Sequence, residues 1–198
     1  MAITTFSAAE LSRLSGFNYS NKASQAVATK LNAVTAEVVQ NNPLAPTADT
    51  VSSAVGAVNQ AFASKVTIPA GTLAVGSRLV VRAGGVVTAS AGAVNLTLTL
   101  RVGATTVSAC SAFDPAAGNG FFLESSVIVQ SIGAGGKFNS SSLWVTKTGA
   151  GATVVEPLSG YQAAVDTTAA NDVTLLVSWG AGAGETVRLN ALSVDLTY

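Results

Sequence analysis

The chain has 198 residues and a mass of 19.6 kDa, enough for one domain of ordinary size or one domain with an appendage. Charged residues make up 10% of it, against roughly 25% in an average soluble protein, while hydrophobic residues make up 48%. Such a chain can bury a core but has few charges to cover it, so much of its surface is expected to meet other protein.

Ten basic residues balance ten acidic ones, with no run of either sign. Nucleic-acid affinity comes mainly from neutralising phosphates, so a net charge of zero argues against such a partner. No apolar stretch reaches the roughly 18 residues of a membrane span, which argues against a membrane partner as well. Met1 to Phe6 lacks a basic region followed by an apolar run, so no secretory signal is expected. Cys110 is the single cysteine and has no internal disulfide partner. Synthesis and folding in a reducing cytoplasm are therefore expected.

The pattern changes near residue 63. Ser7-Ala8-Ala9-Glu10 fits a capping box, Phe6 and Leu11 sit where a hydrophobic staple would be, and Gly16 is a natural stop. This predicts a short helix over about 8–15. A second helix is predicted over about 21–40, where Val27, Leu31, Val34 and Val38 fall on one stripe before Pro43 and Pro46 end it. A third is predicted over about 49–62, with Val51, Val55, Val58 and Phe62 at the same spacing and Gly56 weakening it. These stripes are narrow and Val-rich. Residues 1–63 are therefore expected to form a helical arm that packs on a partner, between protomers or on the following domain.

From residue 64 the apolar residues alternate. Val94, Leu96, Leu98, Leu100 and Val102 interleave with Asn95, Thr97, Thr99 and Arg101, the period of a half-buried antiparallel strand. Val173, Leu175, Val177 and Trp179 repeat it. The last strand carries Val187 and Leu189 on one phase, then Leu192, Val194 and Leu196 on the other, which predicts a β-bulge near Ala191. Further strands are expected at about 65–68, 78–83, 86–90, 105–110, 121–131, 137–146 and 152–156. Gly-rich turns are expected between them, at Gly84-Gly85, Gly118 to Gly120, Gly133 to Gly136, Gly149 to Gly151 and Gly180 to Gly184. Eight or more short strands imply a β-sandwich or barrel over 64–198.

The catalytic inventory is thin. The absence of histidine removes the commonest general base and metal ligand, and with it any Ser-His-Asp or Cys-His arrangement. Cys110 lies on a strand pattern and reads as a small buried hydrophobe. Gly133-Ala134-Gly135-Gly136-Lys137 departs from a phosphate loop, because Phe138 follows the lysine and the setting is between two strands. Asp114, Glu124, Asp166, Asp172 and Glu185 are the carboxylates from which a glycosidase pair could be drawn, but their spacing singles out no pair. Arg78 and Arg82 fall on one face of a strand, as a solvated or interface face would have them. No enzyme activity, metal or cofactor is expected.

The segment Val66 to Gly76, reading VTIPAGTLAVG, followed by Arg78 to Gly85, reading RLVVRAGG, resembles phage virion proteins with a jelly-roll domain. Leu96 to Gly103 and Val127 to Gly136 are similar to later pieces of the same group. The resemblance covers about residues 64–198 and implies an antiparallel jelly-roll β-sandwich. The group includes head decoration (cement) proteins, commonly trimeric, and pieces of tail or head fibres. What the resemblance implies is therefore a capsid decoration protein on the virion surface, made in the host cytoplasm, forming a homotrimer and binding the major capsid protein. The attachment surface would be the stripe of Val27, Leu31, Val34, Val38, Val51, Val55, Val58 and Phe62. The alternative is a fibre module that binds a host surface glycan, for which Trp144, Tyr161 and Trp179 are the aromatic supply.

Overall fold

The computed structural model describes residues 49–52, 59–89, 95–180 and 184–197. The regular structure of these residues is strand throughout: β1 (Asp49–Ser52), β2 (Gln60–Ile68), β3 (Arg78–Ala89), β4 (Leu96–Val102), β5 (Thr105–Ala109), β6 (Gly120–Ser131), β7 (Gly136–Lys147), β8 (Thr153–Val165), β9 (Asn171–Trp179) and β10 (Thr186–Thr197). They form two antiparallel sheets, consistent with a β-sandwich. One has the order β1-β10-β3-β6-β7-β8 and the other β2-β9-β4-β5.

Alternation decides which residues face inward. On β4, Leu96, Leu98, Leu100 and Val102 are fully buried, and Thr97, Thr99 and Arg101 between them are half-buried on the other face. Beside them, Val173, Leu175, Val177 and Trp179 of β9 point the same way. The larger sheet contributes Leu79 and Val81 of β3, Leu123 and Val127 of β6, and Phe138 and Trp144 of β7 to the same core. Burying each such side chain contributes about 1.5–3 kcal/mol.

The bulge expected near Ala191 is present. Leu189 pairs with Gly85 and Ala191 with Gly84, so Asn190 is the extra residue and the inward phase changes there. Gly84-Gly85, expected as a turn between two strands, lies inside the single strand β3, opposite this bulge. A Cβ on Gly85 would come within 2.3 Å of the Arg188 carbonyl oxygen and 2.5 Å of the Phe121 ring. The glycine is therefore required by close approach of the Phe121 ring and the bulged strand.

The turn expected at Gly133 to Gly136 does join β6 to β7. Gly136 N–H donates to the Gly133 carbonyl at 3.1 Å, and Gly133 has φ +113°. That left-handed value favours glycine.

The third expected helix is corrected. At the described ends of 49–62 the chain is extended: β1 pairs with β10, Val51 opposite Val187, and β2 begins at Gln60. Val51 and Phe62 are buried in the sandwich core, at 8% and 2% exposure, instead of lying on an attachment stripe. The boundary expected between 63 and 64 thus falls inside β2, and the compact unit that holds the described residues begins at Pro43. Tertiary pairing overrode the helical spacing, as it readily does in a Val-rich segment that contains a glycine. Asp49 ties this region together. Its carboxylate accepts the N–H groups of Ala63 (2.9 Å) and Ser64 (2.5 Å), where β2 shifts register against β9. The helices expected over 8–15 and 21–40, with Val27, Leu31, Val34 and Val38, lie outside the described residues, as do Val55 and Val58.

Two outcomes follow. A chain that starts at Ser64 loses β1 and Phe62 and should fail to unfold cooperatively, whereas one that starts at Pro43 should keep a β-type circular dichroism spectrum and a sharp thermal transition. Phe62→Ala should cost about 3–5 kcal/mol in denaturant unfolding, and equal stability of the two truncations would contradict the placement of β1 and Phe62.

Candidate functional site

The two sheets present different outer faces. On the β2-β9-β4-β5 sheet the outward residues are mainly small and polar: Thr67, Thr97, Thr99, Thr174 and Ser178, with Leu176 nearly covered at 6% exposure. Lys65 and Asp172 pair across this face at 2.7 Å, and Thr67 Oγ1 donates to Asp172 at 2.6 Å. Those hydrogen bonds, from Lys65 first and Thr67 second, hold the Asp172 carboxyl below the usual carboxylate range.

The larger sheet differs. The exposed large hydrophobic side chains among the described residues are Phe122, Ile128, Ile132, Leu143, Val154, Val155 and Tyr161, on or just after β6, β7 and β8, and Val75 in the loop before β3. Register places several in rows across the outer face. Phe122 pairs with Val145 and Val145 with Val155; two residues along, Glu124 pairs with Leu143 and Leu143 with Pro157. The next row is Ser126, Ser141 and Ser159, and its small side chains leave a shallow groove of about 350 Å³ walled by Glu124, Leu143 and Pro157.

Charge on this face is concentrated at Arg82. Its Nε donates to Glu124 at 2.9 Å and its Nη1 to Asp195 at 3.1 Å, one cation between two carboxylates. Glu124 is the main reason Arg82 is held above its ordinary value, with Asp195 adding to it. Arg78, four residues earlier on the same side of β3, donates from Nε to Ser126 Oγ at 2.7 Å. These pairs are exposed, so each contributes little to stability and serves more to fix where the charges stand.

The carboxylates considered for a catalytic pair have separate structural attachments. Glu124 is held by Arg82 and Asp172 by Lys65, on the outer faces of different sheets. Asp166 closes the turn after β8, accepting the Thr168 hydroxyl at 2.6 Å and the Thr168 N–H at 2.9 Å, bonds that lower its pKa. Among the described residues no group of three or more Cys, Asp or Glu is placed to hold a metal. Trp144 and Trp179 are in the core at 0% and 3% exposure, leaving only Tyr161 of the aromatic supply outside, on β8. No family model, curated protein or solved structure matches the chain.

Sequence reasoning expected an interaction surface on residues 1–63 and did not single out the apolar outer rows of β6, β7 and β8. A signal was present: Phe121-Phe122 and Leu143-Trp144-Val145 put apolar residues on both phases of a strand, and one phase must then face outward.

Cys110 belongs to the interior. It is 4% exposed, accepts the Leu98 N–H at 3.2 Å, and burial pushes its thiol pKa up to about 11. A thiol reagent at pH 8 should therefore react only after unfolding. Because the native state keeps this proton to higher pH than the unfolded chain does, stability should fall as pH rises from about 9 to 11. Cys110→Ala should flatten that part of the pH–stability profile; an unchanged profile would remove the thiol as its source.

Proposed function

We propose that the protein is a structural virion protein: a capsid decoration protein with a jelly-roll body that associates with copies of itself and with the major capsid protein. The strand pairings support the jelly-roll reading. With the β7–β8 hairpin set aside, β1 pairs with β10, β2 with β9, β3 with β6 and β4 with β5. That is one long hairpin rolled up, first strand against last and each next strand against the one before, and β7–β8 then widens one sheet by two strands.

The observation that carries the functional reading is the group of exposed large apolar side chains on the outer face of the larger sheet, Phe122, Ile128, Leu143 and Val155. A body with few charges and one apolar outer face gains stability by packing that face against protein. On a shell it would bridge neighbouring subunits by contact area alone, resisting internal pressure without covalent chemistry. The glycan-binding alternative is weaker, because two of the three tryptophan and tyrosine side chains it drew on are buried.

Particles assembled without the protein should bind it at micromolar concentration, and sedimentation should carry it down with them. Decorated particles should withstand heating several degrees beyond bare ones, and electron cryo-microscopy should show added density on the shell. Density confined to the tail, or no binding to bare shells, would overturn the capsid assignment. Glu124→Gln should leave any particle-associated glycan cleavage unchanged; a loss of about a hundredfold or more, typical of a general acid–base residue, would instead make this an enzyme.

A further inference from the structure

Asn119-Gly120 is the single Asn-Gly pair in the chain, and it stands where three segments meet. It lies where the loop after β5 enters β6, with Asn119 half-buried and Gly120 exposed. Asn119 Nδ2 donates to the Thr148 carbonyl at 2.8 Å and to the Lys147 carbonyl at 3.3 Å, at the end of β7. The main chain of Asn119 is held as well. Its N–H donates to the Ala116 carbonyl at 3.0 Å, and its carbonyl accepts the Val87 N–H of β3 at 2.9 Å. Nearby, the Gly149 N–H donates to the Asp114 carbonyl at 2.6 Å. The Asn119 carboxamide and the Gly149 amide thus tie the turn between β7 and β8 to the loop before β6.

We propose that Asn119 is a site of spontaneous covalent modification, in which the Gly120 nitrogen displaces the side-chain amide and water then leaves an aspartate or isoaspartate that no longer holds the β7–β8 turn. Glycine has no Cβ to screen its backbone nitrogen, so that nitrogen can approach a neighbouring carbonyl carbon closely. The deprotonated Gly120 nitrogen attacks Asn119 Cγ and a new C–N bond closes a five-membered imide. The Cγ–Nδ2 bond breaks, and the amide leaves as ammonia after taking a proton from water. A second step adds water to one of the two ring carbonyls and returns a proton to the Gly120 nitrogen. Opening at Cγ gives aspartate. Opening at the main-chain carbonyl gives isoaspartate, in which the backbone runs through Cβ and Cγ. In sum one water is consumed and one ammonia is released, with no oxidant or reductant.

The fold sets the rate. Ring closure requires Asn119 Cγ to leave the Lys147 and Thr148 carbonyls and the main chain to rotate against its bonds to Val87 and Ala116. The reaction therefore runs from a locally opened state and is slowed by the rarity of that opening. The fold also determines the consequence. A carboxylate has no donor, so the Lys147 carbonyl loses its Asn119 bond and the Thr148 carbonyl keeps the Gly151 N–H at 2.8 Å, both now facing a negative charge. Isoaspartate in addition lengthens the main chain by one atom just where Gly120 begins to pair with Val86 of β3. Asn171 is an internal control. Its Nδ2 is likewise held by two carbonyls, Asp166 at 2.7 Å and Ala169 at 3.0 Å, but Asp172 follows it and bears a side chain.

The inference goes beyond the proposed function and is independent of a capsid. The full chain is kept for some weeks at mildly alkaline pH and physiological temperature, folded and in urea, and then mapped by peptide mass spectrometry. Both samples should show the mass increment of an amide converted to an acid at Asn119, with isoaspartate among the products, and none at Asn171. The folded chain should convert at least tenfold more slowly than the unfolded one. Gly120→Ala should slow conversion in urea at least tenfold, and its Cβ would stand 3.5 Å from the Gly85 carbonyl oxygen, an ordinary contact that keeps the fold. Asn119→Asp should lower the thermal midpoint by several degrees and speed hydrogen exchange at the Gly149 and Gly151 amides. Should that variant not fold, the converted fraction of aged wild type gives the same reading, since one added negative charge on a chain of zero net charge separates it by ion exchange. A folded chain that ages without isoaspartate at Asn119 would overturn the proposal. So would equal rates in the folded and unfolded chains, a Gly120→Ala chain that converts as fast as wild type, or wild-type exchange at the turn once Asn119 carries a carboxylate.

Discussion

Trp144 sets the constraint on which the rest of the larger sheet depends. It is wholly buried, and its indole N–H donates to Ser108 Oγ at 2.8 Å, across the gap between β7 and β5. A buried N–H without that partner would cost about 1–3 kcal/mol, so the ring and β5 hold each other in place. Ser140, four residues earlier on β7, donates to the Val107 carbonyl of β5, and a second bridge thereby fixes the same two strands. Because side chains alternate along a strand, Trp144 facing inward forces Leu143 and Val145 outward. The apolar outer surface is thus a direct consequence of the core anchor between its two members.

The same alternation links the charged residues to that surface. Leu123 is buried next to Glu124, and Val81 next to Arg82. With Leu123 and Val81 fixed inside, Glu124 and Arg82 must meet on the outer face, where β3 and β6 pair them directly. Asp195 joins them because the bulge at Asn190 has reset the phase of β10, sending Leu192 and Val194 inward and Ser193 and Asp195 outward. Without that extra residue, the carboxylate would point into the core and a leucine to solvent. The bulge, Gly85 and Phe121 form one packing unit, because the ring occupies the space that a side chain on Gly85 would take.

The two sheets therefore divide their roles. The four-stranded sheet covers its outside with threonine, serine and a Lys65–Asp172 pair, a surface that water satisfies. The six-stranded sheet is wider by the β7–β8 hairpin, and apolar side chains remain outside on that hairpin and on the adjoining β6. Such a surface is costly to leave in water and gains by meeting protein.

Much of this was legible in the sequence. The alternation in Leu96 to Val102 and in Val173 to Trp179, the phase change at Ala191 and the turn at Gly133 to Gly136 are local patterns, read from residues two to four apart, and they place most of the strands. Such patterns could not assign 49–52 and 60–62, where valines at helical spacing suit either a helix or a strand and pairing with β10 and β9 decided the matter. Nor could they show Gly84-Gly85 as strand interior, since the reason for those glycines is Phe121, 36 residues from Gly85 in sequence and directly opposite it in the sheet. The apolar outer rows were hidden for the same reason. Each strand shows its own two faces, but only the register of β6, β7 and β8 brings Phe122, Val145 and Val155 into one row, and only the partner strands determine which face is covered.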